Sequence, residues 1–171
     1  MADDQLRHLS VDGLRSLDAL VSDTSSLIHA NRAGFLLPLV RTVRLVAPPG
    51  VLDELGDRVA DRATVLLIEH IPEDEALYRD YRADAQVVIA ARQSGLPVLS
   101  DDLRLLARAA QHDIAGYTIR VMLELLLMRR VIDLESYTRF KRSLSGLVRY
   151  AVPLWVAAEE LHWQIRKEET G

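Results

Sequence analysis

Short apolar, β-branched-rich runs alternate with longer stretches of helical periodicity, and this alternation constrains the chain more than any other feature. The runs ALVS (19–22), VRLVA (43–47), TVLLIE (64–69) and PVLS (97–100), with a short piece at 116–118, read as strands. Helical patterns over 25–37, 49–60, 73–81, 84–93 and 103–112 fill the intervals. Strand, helix, strand at this spacing predicts a parallel α/β sheet covered by helices on both faces, because parallel neighbours need a crossover connection. Gly95 closes the helix DAQVVIAARQS as a C-terminal cap should, and Pro49 suits a first helical turn.

Two helical additions flank this unit. Residues 1–18 read as an N-terminal arm, with Leu6, Leu9, Leu14 and Leu17 at roughly helical spacing. Residues 119–171 read as a C-terminal extension of two or three helices without a strand. Its first helix, 119–130, is apolar almost all round and is expected to be sandwiched. Its last carries the stripe Leu154, Ala158, Leu161 and Ile165, with Trp155 and Trp163 expected to pack against the body or a second subunit.

The 171 residues suit one domain with an appendage, and 49% hydrophobic against 27% charged residues supports a sizeable core. Cysteine is absent, which excludes disulfides, thiolate zinc sites, iron–sulfur clusters and cysteine nucleophiles. The net charge of -4 excludes a generally basic nucleic-acid coat but leaves room for a local patch. Asp3 and Asp4 stand where a secretory signal would be positive, and no apolar run approaches a membrane span, so a soluble cytoplasmic protein is expected. The two lysines, Lys141 and Lys167, lie near the C-terminus. A phosphate loop ending in Gly-Lys, a Schiff-base lysine in the main body and a phosphorelay receiver are thereby excluded.

Acidic residues gather where ligands of open parallel sheets bind, beyond the carboxyl ends of strands. Asp23 ends the first strand, and Glu54 lies one turn into the helix after the second. Asp84 opens the helix DAQVVIAAR, and Asp101 and Asp102 follow PVLS. Singly, each reads as a helix cap or a first-turn acid. Together they would repel one another unless a cation neutralised them. Oxygen donors without histidine or cysteine select Mg²⁺ or Mn²⁺, and such an ion polarises a phosphodiester and generates hydroxide.

The succession SDTSSLI, VAPPGVLDEL and ADAQVVIAARQSGLPVLSDDLRLLARAA resembles the PIN-domain ribonucleases, whose best-known members are toxins of toxin–antitoxin pairs. The resemblance covers about residues 19–118. It implies a Rossmann-like sheet sandwiched by helices, a Mg²⁺ or Mn²⁺ site and hydrolysis of RNA. Asp23, Glu54, Asp84 and Asp102 match the family's four acids, Asp102 through the pattern Ser-x-Asp after a strand. They are implied as catalytic metal ligands, Glu54 either directly or by orienting the attacking water. Thr24, Ser25 and Ser100 would support them, and Asp101 is expected to face solvent. A homodimer and a cognate antitoxin are the implied partners besides RNA. The rival expectation is a catalytically silent PIN-fold module that binds RNA or protein.

Histidines 8, 29, 70, 112 and 162 show no ligand spacing, although His29 is able to approach the cleft from the first helix of the sheet domain. Within 120–149, Arg120, Arg129, Arg130, Arg139, Lys141, Arg142 and Arg149 face only Glu124, Asp133 and Glu135. Arg139, Lys141 and Arg142 are therefore expected to hold RNA phosphates.

Overall fold

The computed structural model describes residues 9–71 and 78–170. The start of the expected arm, with Leu6, and most of the helix expected over 73–81 lie outside the described residues. Five short strands form one parallel sheet: β1 (Ala19–Ser22), β2 (Arg44–Ala47), β3 (Glu69–His70), β4 (Val98–Leu99) and β5 (Gly116–Tyr117), in the order β3-β2-β1-β4-β5. The architecture is the expected α/β one. β1 is central: Val21 pairs with Val46 on one side and with Val98 on the other. All four β1 residues are buried, because both edges are paired and helices cover both faces.

The helices, in chain order, are α1 (Val11–Arg15), α2 (Thr24–Ala33), α3 (Leu36–Thr42), α4 (Pro49–Leu55), α5 (Arg62–Val65), α6 (Ala83–Ser94), α7 (Leu103–Ala110), α8 (Ile119–Met128), α9 (Leu134–Leu147) and α10 (Val152–Thr170). Strand order reverses at β1. Right-handed crossovers therefore send the helices following β1 and β2 to one face and α6 and α7 to the other. None of the helices among the described residues is long and apolar enough to cross a membrane.

Two elements depart from the sequence pattern, each for a local reason. The single helix expected over 25–37 is broken at Gly34, whose left-handed φ of 95° ends α2. A Cβ at Gly34 would also stand 3.3 Å from the Phe140 ring. The strand expected over 64–69 shrinks to Glu69–His70. Asp61 instead caps a helical turn, its Oδ1 accepting from the backbone N–H groups of Ala63 at 3.1 Å and Thr64 at 3.2 Å. Leu66, in this turn, stays 84% exposed.

The C-terminal extension is built into the body. Every residue of α8 from Ile119 to Leu127 is buried, as its apolar circumference requires, and this includes Arg120 and Glu124 at 0% exposure. The Arg120 guanidinium donates to Glu124 within α8, to the Tyr137 hydroxyl of α9 at 3.0 Å and to Glu159 of α10 at 2.8 Å. Glu124 also accepts from the Tyr137 hydroxyl at 2.6 Å, and its other oxygen lies 2.8 Å from His162 Nδ1. Trp155 lies against Arg120, whereas Trp163 is 72% exposed and meets the His162 ring edge-on. Arg129 ties α8 to the N-terminal segment by donating to the carbonyls of Leu17 at 2.7 Å and Thr42 at 3.2 Å.

This network predicts a large effect from a single truncation. Glu124→Ala leaves Arg120 buried with its principal counter-charge gone, and should lower unfolding free energy by about 3–5 kcal/mol. Chemical denaturation monitored by tryptophan fluorescence measures the loss, and a change within about 1 kcal/mol would show that the network is dispensable.

Candidate functional site

Because β1 is central and buried, its carboxyl end delivers Asp23 to the point where strand order reverses, the place where ligands bind in open parallel sheets. Asp23 is 4% exposed. It caps α2, with Oδ1 accepting from the Ser26 N–H at 2.7 Å, while Ser100 at the end of β4 donates its hydroxyl proton to Oδ2. Burial pushes the Asp23 carboxyl up to about 6, with a smaller push from the Asp101 charge, against the downward pull of its bonds to Ser100 and Ser26. Among the described residues the buried Ser26 hydroxyl has no hydrogen-bond partner.

A chain of hydrogen bonds spreads from this carboxylate along the rim. Thr24, next in sequence, donates to Glu54 Oε2 at 2.9 Å and links α2 to α4. The Ser100 hydroxyl accepts from the Asp102 N–H at 3.0 Å, so one buried serine touches both Asp23 and the backbone of Asp102. Asp102 is exposed and caps α7, its Oδ1 accepting from the Arg104 N–H at 2.8 Å. Asp84 is exposed in the first turn of α6. Thr24 and Ser100 thus touch Glu54 and Asp23, while Ser25 is exposed on the first turn of α2.

Asp101 corrects the sequence reading. Its side chain is 5% exposed instead of facing solvent, with Oδ2 at 3.1 Å from His29 Nδ1 and Oδ1 accepting from the Ile119 N–H at 3.0 Å. The buried Tyr150 hydroxyl lies beside the same carboxylate, and burial followed by the Asp101 charge pushes the Tyr150 phenol up. Three residues after β4, Asp102 is sent outward as the cap of α7. Asp101, just before the cap, is left pointing into the α2–α8 contact. His29 therefore serves Asp101.

Sequence reasoning also missed Gln86. This buried amide accepts from the Gly50 N–H at 2.7 Å and donates to the carbonyls of Tyr78 and Tyr81, both at 2.9 Å. It pins the start of α4, and so Glu54, to the head of α6. A Cβ at Gly50 would stand 2.8 Å from the Gln86 amide, which explains a glycine there. The only sequence signal was a polar residue on the inner face of a helix.

The expected basic surface of 120–149 is smaller than the sequence count. Arg120 is buried and paired, Arg129 is spent on carbonyls, and Lys141 Nζ lies 2.6 Å from Glu159. Arg130, Arg139, Arg142 and Arg149 remain exposed.

The donor set fits a hard divalent cation in chemistry. It is oxygen-only, and its central carboxylate is buried without a cationic partner among the described residues. In arrangement it is open: among the described residues no three acidic or histidine side chains converge closely enough to hold a metal ion. Compared with known proteins, the chain matches no protein-family model and no curated protein.

Two expectations follow from this geometry. In the metal-free protein, Asp23 binds its proton more tightly folded than unfolded, so its contribution to stability is full below about pH 4 and lost as pH rises towards 6. Asp23→Asn should therefore be more stable than wild type by on the order of 2–3 kcal/mol at pH 7. The difference should shrink as pH falls from 6 to 4 in thermal melts with EDTA; a gap independent of pH would refute the assignment. For the adjacent pair, Asp101→Ala should cost about 1–3 kcal/mol, since it strips a buried N–H and a histidine of their partner. Asp102→Asn, which still caps α7, should change stability by no more than about 0.5 kcal/mol.

Proposed function

We propose that the chain is a metal-dependent ribonuclease of the PIN type. One observation carries the reading: a carboxylate buried at the strand-order reversal, held ready by Ser100 and the Ser26 N–H and, among the described residues, lacking a cation to offset its charge. A structural cap needs no such burial, and α7 and α9 are capped by exposed aspartates.

Asp23 and Glu54 would hold Mg²⁺ or Mn²⁺, with Asp84 and Asp102 joining from the first turns of α6 and α7. The ion supplies Lewis acidity towards a phosphodiester and a hydroxide at neutral pH. The chain's own residues do the rest. Thr24 fixes the Glu54 carboxylate so that one oxygen is directed and the other is left to ligate or to orient water. Ser100 fixes Asp23 and at the same time anchors the Asp102 backbone, so that the acids of β1 and β4 move together. The raised Asp23 pKa makes metal binding compete with a proton, and activity should fall as pH drops below about 6.

The same reading carries a second copy of the chain and an antitoxin as partners, supported by the exposed Val152, Val156 and Trp163 of α10. A silent binding module is the second reading, favoured by the open arrangement of the acids. Cleavage assays on single-stranded and structured RNA decide between them. Cutting with Mn²⁺, its absence in EDTA, and a loss of at least about a hundredfold in both Asp23→Asn and Glu54→Gln are expected. RNA bound but uncut in Mn²⁺ would establish the silent module.

A further inference from the structure

Next to Glu54 the rim opens into a cleft of about 770 Å³, lined by α4, the end of β3 and the segment leading into α6. Its volume falls within the range of small-molecule sites. Asp53 and Glu54 stand on the α4 wall, and His70 closes the end of β3. Arg79, Tyr81 and Arg82 line the remaining wall. All three are exposed, and Tyr81 retains 51% of its surface. Among the described residues neither the Arg79 nor the Arg82 guanidinium has an ion-pair or hydrogen-bond partner, unlike Arg120 and Arg129. The backbone that carries them is fixed, because Gln86 holds the carbonyls of Tyr78 and Tyr81.

Two unspent guanidinium groups flank one accessible aromatic ring in a concavity that begins at a candidate catalytic carboxylate. Guanidinium forks match phosphate oxygens in a bidentate manner. An exposed tyrosine face takes any base by stacking, without regard to sequence. We propose that this cleft holds one nucleotide of single-stranded RNA flanking the scissile phosphate, Tyr81 stacking its base while Arg79 and Arg82 grip adjoining phosphates. The proposal rests on the ribonuclease reading for its substrate, and it moves the RNA-holding role from α9 to the entry of α6.

Binding of a short fluorescein-labelled single-stranded RNA, followed by anisotropy in EDTA across a salt series, tests the cleft independently of cleavage. In the double variant Arg79→Gln/Arg82→Gln, affinity should fall roughly tenfold or more, and the slope of log affinity against log salt should flatten by about 1.4, the loss of two single-strand phosphate contacts. Tyr81→Ala should weaken binding by about fivefold or more, and Tyr81→Phe, which keeps the ring, should bind as wild type does. Unchanged affinity and salt slope in the double variant would overturn the proposal, even if wild type cuts RNA and Asp23→Asn does not. A larger loss in Arg139→Gln/Arg142→Gln would likewise overturn it and return the role to α9. Cleft-dependent binding by a wild type that leaves the RNA uncut in Mn²⁺ supports the RNA-holding role of the cleft and refutes the nuclease reading alone.

Discussion

The structure depends on the burial of β1. A strand paired on both edges and covered on both faces has no solvent at its carboxyl end unless the following loops part, and here they are closed by Ser100 and by the cap of α2. Asp23 is carried into that end by the chain itself. Its carboxylate pays a desolvation penalty that two donors, the Ser26 N–H and the Ser100 hydroxyl, only partly offset, and the result is an upward shift of its pKa. Two further contacts adjoin this group: Thr24 reaches Glu54, and Ser100 reaches the Asp102 backbone.

The C-terminal helices change the character of the domain they cover. A fully buried arginine–glutamate pair, joined by groups from α9 and α10, adds little net stability over apolar packing of the same volume. It does restrict how three helices can meet, since any other arrangement strands a charge away from water. The same network consumes cations that the sequence offers to a polyanion. Asp101 then ties the α8 terminus, through the Ile119 N–H, to the loop that bears Asp102. The extension thus contributes to the geometry of the rim without lining the Glu54 cleft.

Much of the fold was legible because its causes are local or periodic. The β1 and α6 patterns, the Gly95 cap and the apolar circumference of α8 each follow from residues a few positions apart, and the structure places them as expected. The TVLLIE run failed because the Asp61 cap outweighed β-branched propensity. The candidate site was legible in part. Strand ends and helix starts located Asp23, Glu54, Asp84 and Asp102 at one edge. The orientation of Asp101 was not legible, because it depends on His29 and Ile119, respectively 72 and 18 positions away.

The sequence by itself determined a parallel α/β sheet with acids beyond its strand ends, since alternation of apolar runs, glycine caps and strand-end carboxylates are properties of neighbouring residues. Tertiary structure alone decided which carboxylate is desolvated, which of two adjacent aspartates turns inward, and which arginines remain exposed. Those outcomes depend on distances between residues remote in the chain, and charge, burial and pKa are set by those distances.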